Sequence, residues 1–98
     1  MNHTIVDRIH QTIQNGRYDM SGHAMDEMAE DNLNILDVEN VLLHGRLART
    51  ESDHPRGLKD ILEGLALDQR TPIGVVGRFP TVNSYLVITV YAITDKGE

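Results

Sequence analysis

Two hydrophobic periods divide the chain. Over residues 3–15, Ile5, Ile9 and Ile13 recur at i, i+4 and i+8 with Val6 alongside, the single stripe of an amphipathic helix lying on a core. Asn15-Gly16 suits a helix C-terminus, and the four residues after it are too few for more than an extended link or an edge strand. A second helix over 22–31 starts from Ser21 as N-cap. Met20 before the cap and Met25 in the first turns are spaced as a hydrophobic staple, and Met25, Met28 and Ala29 form a narrow apolar stripe. Asn32 takes a left-handed C-terminal position. A third helix over 35–44 then repeats the same device, with Asn34 as cap, Asp37 three residues on and Leu33 stapled to Val38. Its buried face is Ile35, Val38, Val41 and Leu42, and Gly45 stops it.

From Arg46 onward the helical stripe gives way to short segments rich in branched residues, and strands are predicted over 46–50, 58–67, 73–79 and 85–93. A polar loop with a Pro and a Gly covers 51–57. In the segment 58–67, Lys59, Ile61 and Glu63 share one strand face and Asp60, Leu62 and Gly64 the other, although a helix also fits there. Strict alternation along 85–93 sends Leu86, Ile88 and Val90 one way and Tyr85, Val87, Thr89 and Tyr91 the other. The resulting fold class is α+β. N-terminal helices pack on one face of a three- to four-stranded antiparallel sheet, and residues 1–98 make one domain.

Composition narrows the chemistry. The absence of cysteine excludes a disulfide framework, a thiolate zinc site and a Cys nucleophile. Asp7, Arg8 and His10 stand where a signal peptide needs an apolar run, and no window reaches the length of a membrane span, so a cytoplasmic protein without membrane contact is expected. No two of the histidines at 3, 10, 23, 44 and 54 share the i, i+4 spacing of a helical ligand pair, so neither a metal nor another cofactor is expected. The net charge of −6 is unevenly placed. Residues 1–45 carry eight acids against Arg8 and Arg17, whereas residues 46–98 carry seven of each sign. Any contact with RNA phosphates therefore falls on the second half, with Arg46, Arg49 and Lys59 as the expected binding residues.

Three side chains stand out as candidate chemistry. His23 is the second residue of the second helix, where exposed backbone N–H groups disfavour a second positive charge, the setting of a general base; a close contact with Glu27, one turn on, would oppose that role. Arg78 interrupts an apolar strand, opposite in phase to Ile73 and Val75. Tyr91 offers a hydroxyl on the last strand. If the sheet face of Arg78 meets the start of the His23 helix, the three form a set for metal-free RNA cleavage. His23 would take the 2′-OH proton, Arg78 would stabilise the phosphorane-like transition state, and Tyr91 would protonate the leaving 5′-oxygen.

Ser21-Gly-His-Ala24 followed by Met28, the helix from Asn34 to Val41 closed by Gly45, and the strand Val87-Ile-Thr-Val-Tyr91 resemble a small bacterial family known as domain of unknown function 4258. The resemblance implies a fold similar to the RelE and MqsR ribonuclease toxins and a place in a toxin–antitoxin-like pair. Ser21, His23, Met28, Gly45, Thr89 and Tyr91 match the family pattern. Glu30-Asp31 stands where that pattern has Glu-Arg, and Gly74-Val75 where it has His-Val, so a cation and an imidazole are missing. Two functions are thereby expected. The first is a toxin-like, metal-independent endoribonuclease, its activity weakened by those losses. The second is a non-catalytic module that binds an antitoxin-like protein, or a second copy through an edge strand, using the acidic N-terminal half against a basic partner.

Overall fold

The structure, a computed structural model, describes residues 4–93. Helix α1 spans Ile5–Gln14 and buries Ile9 and Ile13. Residue 3, the expected first residue of this helix, lies outside the described residues. The start is set by Thr4, whose hydroxyl accepts from the Asp7 N–H at 3.1 Å while the Thr4 N–H donates to the Asp7 carboxylate at 3.4 Å, a reciprocal cap that the isoleucine stripe does not reveal. A three-residue strand, β1 (Tyr18–Met20), leads into α2 (Gly22–Glu30), and α3 follows over Ile35–His44. Asn32 lies between them with φ 57°, the left-handed position expected of it. Asn34 caps α3 through the expected pairing with Asp37.

The inward face of α2 is rotated from that predicted, and that of α3 differs at one position. Ala24 and Met28 are the buried residues of α2, whereas Met25 and Ala29 are exposed; on α3, Ile35 is exposed and Asp37, Val38, Val41 and Leu42 turn inward. The Asp37 carboxylate is usable there because it accepts from the N–H groups of Asn34 at 2.9 Å and Leu67 at 3.0 Å, tying the start of α3 to the chain beyond β3.

The sheet has five strands in the order β1-β5-β4-β3-β2, with β2 at Arg46–Ser52, β3 at Leu58–Leu65, β4 at Pro72–Thr81 and β5 at Ser84–Ala92. It is mixed, not purely antiparallel with three or four strands as predicted: β1 runs parallel to β5, in register Tyr18↔Tyr85 to Met20↔Val87. The short segment pairs because the Tyr85 N–H donates to the Arg17 carbonyl at 3.0 Å and the Ser21 N–H to the Val87 carbonyl at 2.9 Å. Residues 58–65 are strand and not helix, with Lys59, Ile61 and Glu63 on one face as expected. The strand ends at Leu65 instead of 67 because the Ala66 N–H turns back to the Thr71 carbonyl at 2.9 Å. Strands β2 and β4 run further than predicted, to Ser52 and Thr81, as their hairpin partners extend the pairing.

All three helices cover one face of this sheet. The core there joins Ile9, Ile13, Ala24, Met28, Val38, Val41 and Leu42 to Leu62, Ile73, Val75, Tyr85, Val87 and Val90 from the strands. Gly45 ends α3 with extended backbone, not in the left-handed conformation. A side chain there would meet the Glu63 and Val41 carbonyl oxygens at 2.6 and 2.7 Å, so its role is to let α3 and β3 approach. Among the described residues the other face of the sheet bears no helix, and the candidate site lies on it.

Candidate functional site

What faces that open side is decided by one irregularity in β5. Val76 pairs with Thr89 but Gly77 pairs with Val87, so Ile88 is an extra residue in the strand, a β-bulge. Past it the alternation reverses. Val90 joins Tyr85 and Val87 on the helix side, fully buried, while Thr89 and Tyr91 join Leu86 and Ile88 on the open side. This corrects the regular alternation expected from the sequence, and it brings Tyr91 to the same face as Arg78.

The bulge is held from α2. The Ser21 hydroxyl donates to the Ile88 carbonyl at 2.8 Å and accepts from the Ala24 N–H at 3.0 Å, so one oxygen both caps the helix and fastens the extra residue. One turn further, the Glu27 carboxylate accepts from the Val90 N–H at 2.9 Å. Beyond the end of β1, side chains of α2 thus take the place of a neighbouring strand along β5. Tyr91 lies across Gly74, where a Cβ would fall 2.2 Å from the ring; Gly77 accommodates Tyr85 on the opposite face in the same way, at 2.4 Å. A side chain at Gly74 is incompatible with the place of Tyr91 in this chain.

These residues line a cleft of about 600 Å³. Its floor is Ile61, Val76, Leu86 and Ile88, its wall at the α2 end is Ser21, and its rim carries Arg49, Arg56, Lys59 and Arg78 against Glu51 and Asp53. Four cations face two acids, the reverse of the whole-chain balance. Arg49 Nε donates to Glu51 at 2.5 Å, and Lys59 Nζ lies 4.0 Å from the other oxygen of the same carboxylate. The hydrogen bond from Arg49 holds Glu51 below the usual carboxylate range, and the same bond, with Tyr91 adding to the field, raises Arg49 further. Arg56 stands 3.8 Å from Asp53. Among the described residues Arg78 has no carboxylate within 4 Å, and its Nε is buried without a hydrogen-bond partner.

The structure therefore brings Arg78, Tyr91, Arg49 and Lys59 together. It does not bring His23 with them: that side chain is 67 % exposed, its Nε2 3.3 Å from Glu27, and it is not among the residues lining the cleft. Arg46 also lies elsewhere, pairing with Glu63 at 2.8 Å beside a separate hollow under His44 and Asn40. Arg56 belongs to the cleft although it stands in the polar loop, where only its charge marked it. Among the described residues no three His, Asp or Glu side chains gather as a metal site. No described helix is long and apolar enough to cross a membrane.

Residues 20–92 match the family described as Domain of unknown function (DUF4258). The chain belongs to this family. The DUF4258 match begins at β1 and ends with β5, so it takes in the bulge, the Ser21 anchor and every residue lining the cleft. No curated protein and no solved structure matches the chain.

Proposed function

We propose that the open sheet face binds RNA and that the protein is a toxin-like endoribonuclease acting without a metal. The observation that carries this reading is Arg78. It is a cation with no protein counter-ion among the described residues, set beside the Tyr91 hydroxyl in a cleft whose rim is net positive although the chain is net negative. A phosphodiester seated there would meet Arg78 where negative charge develops on the non-bridging oxygens, and Tyr91 where the departing 5′-oxygen needs a proton. Attack by the 2′-oxygen then leaves a 2′,3′-cyclic phosphate and a free 5′-hydroxyl. Arg49, Arg56 and Lys59 would hold the flanking phosphates. His23 remains the proposed general base: it lies outside the cleft, two residues from Ser21, so its exposed side chain must turn toward the 2′-OH beside that same phosphate.

Incubation of a labelled single-stranded RNA with the wild type, Arg78→Ala, Tyr91→Phe and His23→Ala in the presence of EDTA tests the assignment. Cleavage by the wild type, with a loss of roughly 10²-fold or more in each variant, is expected. Full activity in His23→Ala would remove the imidazole from the chemistry, and a wild type that neither binds nor cuts RNA would end the proposal.

A second reading, a non-catalytic module that binds an antitoxin-like protein or a second copy, is favoured by the position of His23 beside Glu27 and by the free edges of β1 and β2. Its signature is a stable complex with a protein partner or with itself, and no RNA cleavage.

A further inference from the structure

The outer edge of β1 is unpaired among the described residues. Because Arg17 and Ser21 direct their backbone groups to β5, the N–H and C=O groups of Tyr18 and Met20 alternate away from it, towards solvent. Beside this edge runs a groove of about 520 Å³ between β1 and the starts of α2 and α3. Its apolar wall is Met20, Met25 and Ile35, and the last two are large side chains left 51 % and 42 % exposed. Its charged residues are Asp19 and Glu39, and among the described residues no cation lines it. Glu39 is fixed by the Tyr18 hydroxyl, which donates to it, so the carboxylate is held in place and not swung away.

We propose that this edge is a docking site for an extended segment of a partner protein in which apolar residues alternate with Lys or Arg. Such a segment would add a sixth strand to the sheet through the backbone of Tyr18 and Met20. Its apolar side chains would cover Met25 and Ile35 on the helix side, and its cations, on the opposite face of the new strand, would meet Asp19. A second copy of this chain is a poor occupant, because pairing β1 with itself sets Asp19 against its own counterpart. The proposal concerns the edge opposite β2 and uses none of the cations of the cleft, so it stands or falls apart from the RNA reading.

Hydrogen exchange of the full chain, followed residue by residue by NMR, tests it with a short peptide alternating Lys and Val, and with the same peptide carrying Glu for Lys. The Lys peptide is expected to slow exchange at the Tyr18 and Met20 amides and to bind at least tenfold more tightly than the Glu peptide. Asp19→Lys and Ile35→Lys, both at exposed positions, are each expected to weaken it about tenfold. Equal binding of the two peptides would overturn the proposal. So would unchanged exchange at Tyr18 and Met20, or protection of these amides that grows with protein concentration in the absence of peptide.

Discussion

Tyr85 shows how a buried polar pair is made tolerable. Its ring is fully buried, edge-on to Phe79 at 4.8 Å between centroids, and its hydroxyl donates to the Asp60 carboxylate at 3.1 Å. Burial pushes the Asp60 carboxyl up, against the hydrogen bonds from Tyr85 and Thr50 and the nearby charge of Arg8; burial and the same carboxylate push the Tyr85 phenol up as well. Tyr85→Phe leaves the carboxylate with the Thr50 hydroxyl alone and should cost about 1–3 kcal/mol at pH 7 by denaturant titration. An acid with a raised folded-state value favours folding in its protonated form, so this cost should shrink as the pH falls and Asp60 takes up a proton. Asp68 has the opposite sign. The Thr71 hydroxyl and the N–H groups of Thr71 and Arg70 hold its carboxyl down to about 2. It therefore adds stability above its ordinary value near 3.8 and loses it as pH falls toward 2. Asp68→Asn should flatten the acid limb of a stability–pH profile between pH 5 and 2, and an unchanged limb would refute the assignment.

At the scale of elements, the decisive pairing is α2 with β5. One hydroxyl, Ser21 Oγ, caps the helix and fastens the bulge, and one carboxylate, Glu27, satisfies the strand N–H that has no neighbouring strand. Ser21→Ala should cost about 1–2 kcal/mol, the upper part of the range for a lost N-cap because a strand carbonyl loses its donor too. It should also loosen the open face. Faster amide exchange at Thr89 and Tyr91 than at Val75 and Val76 is the expected pattern, and uniform acceleration across the sheet would show that the bulge is held by the strand alone.

At the scale of the whole molecule, charge is segregated. Most acids of the first 45 residues stand on the helices, while Arg49, Lys59 and Arg78 of the sheet gather with Arg56 at the cleft. RNA binding at this face should weaken with salt. Each phosphate neutralised on a single strand contributes about −0.7 to the slope of log affinity against log salt, and Arg78→Ala should reduce the slope by about that amount. The substitution Asp19→Lys, on the far edge, should leave that slope unchanged, and a matching change would place RNA on both surfaces.

Local signals in the chain determined much of this protein: three helices announced by Ser21, Asn34 and the isoleucine stripe, the strand character of the second half, and the opposite phase of Arg78 to Ile73 and Val75. Each depends on neighbours within four residues, which is the range over which caps and periodicity act. The tertiary structure alone decided the rest. Residues 18–20 become a strand only because β5 offers them a parallel edge, and Tyr91 reaches the side of Arg78 only because Ile88 is extruded opposite β4. The charges of the loop at 53–56 meet the cleft only when the chain doubles back between β2 and β3. The parallel edge is an agreement between segments more than sixty residues apart and the bulge one between β4 and β5, and alternation within one strand carries no mark of either.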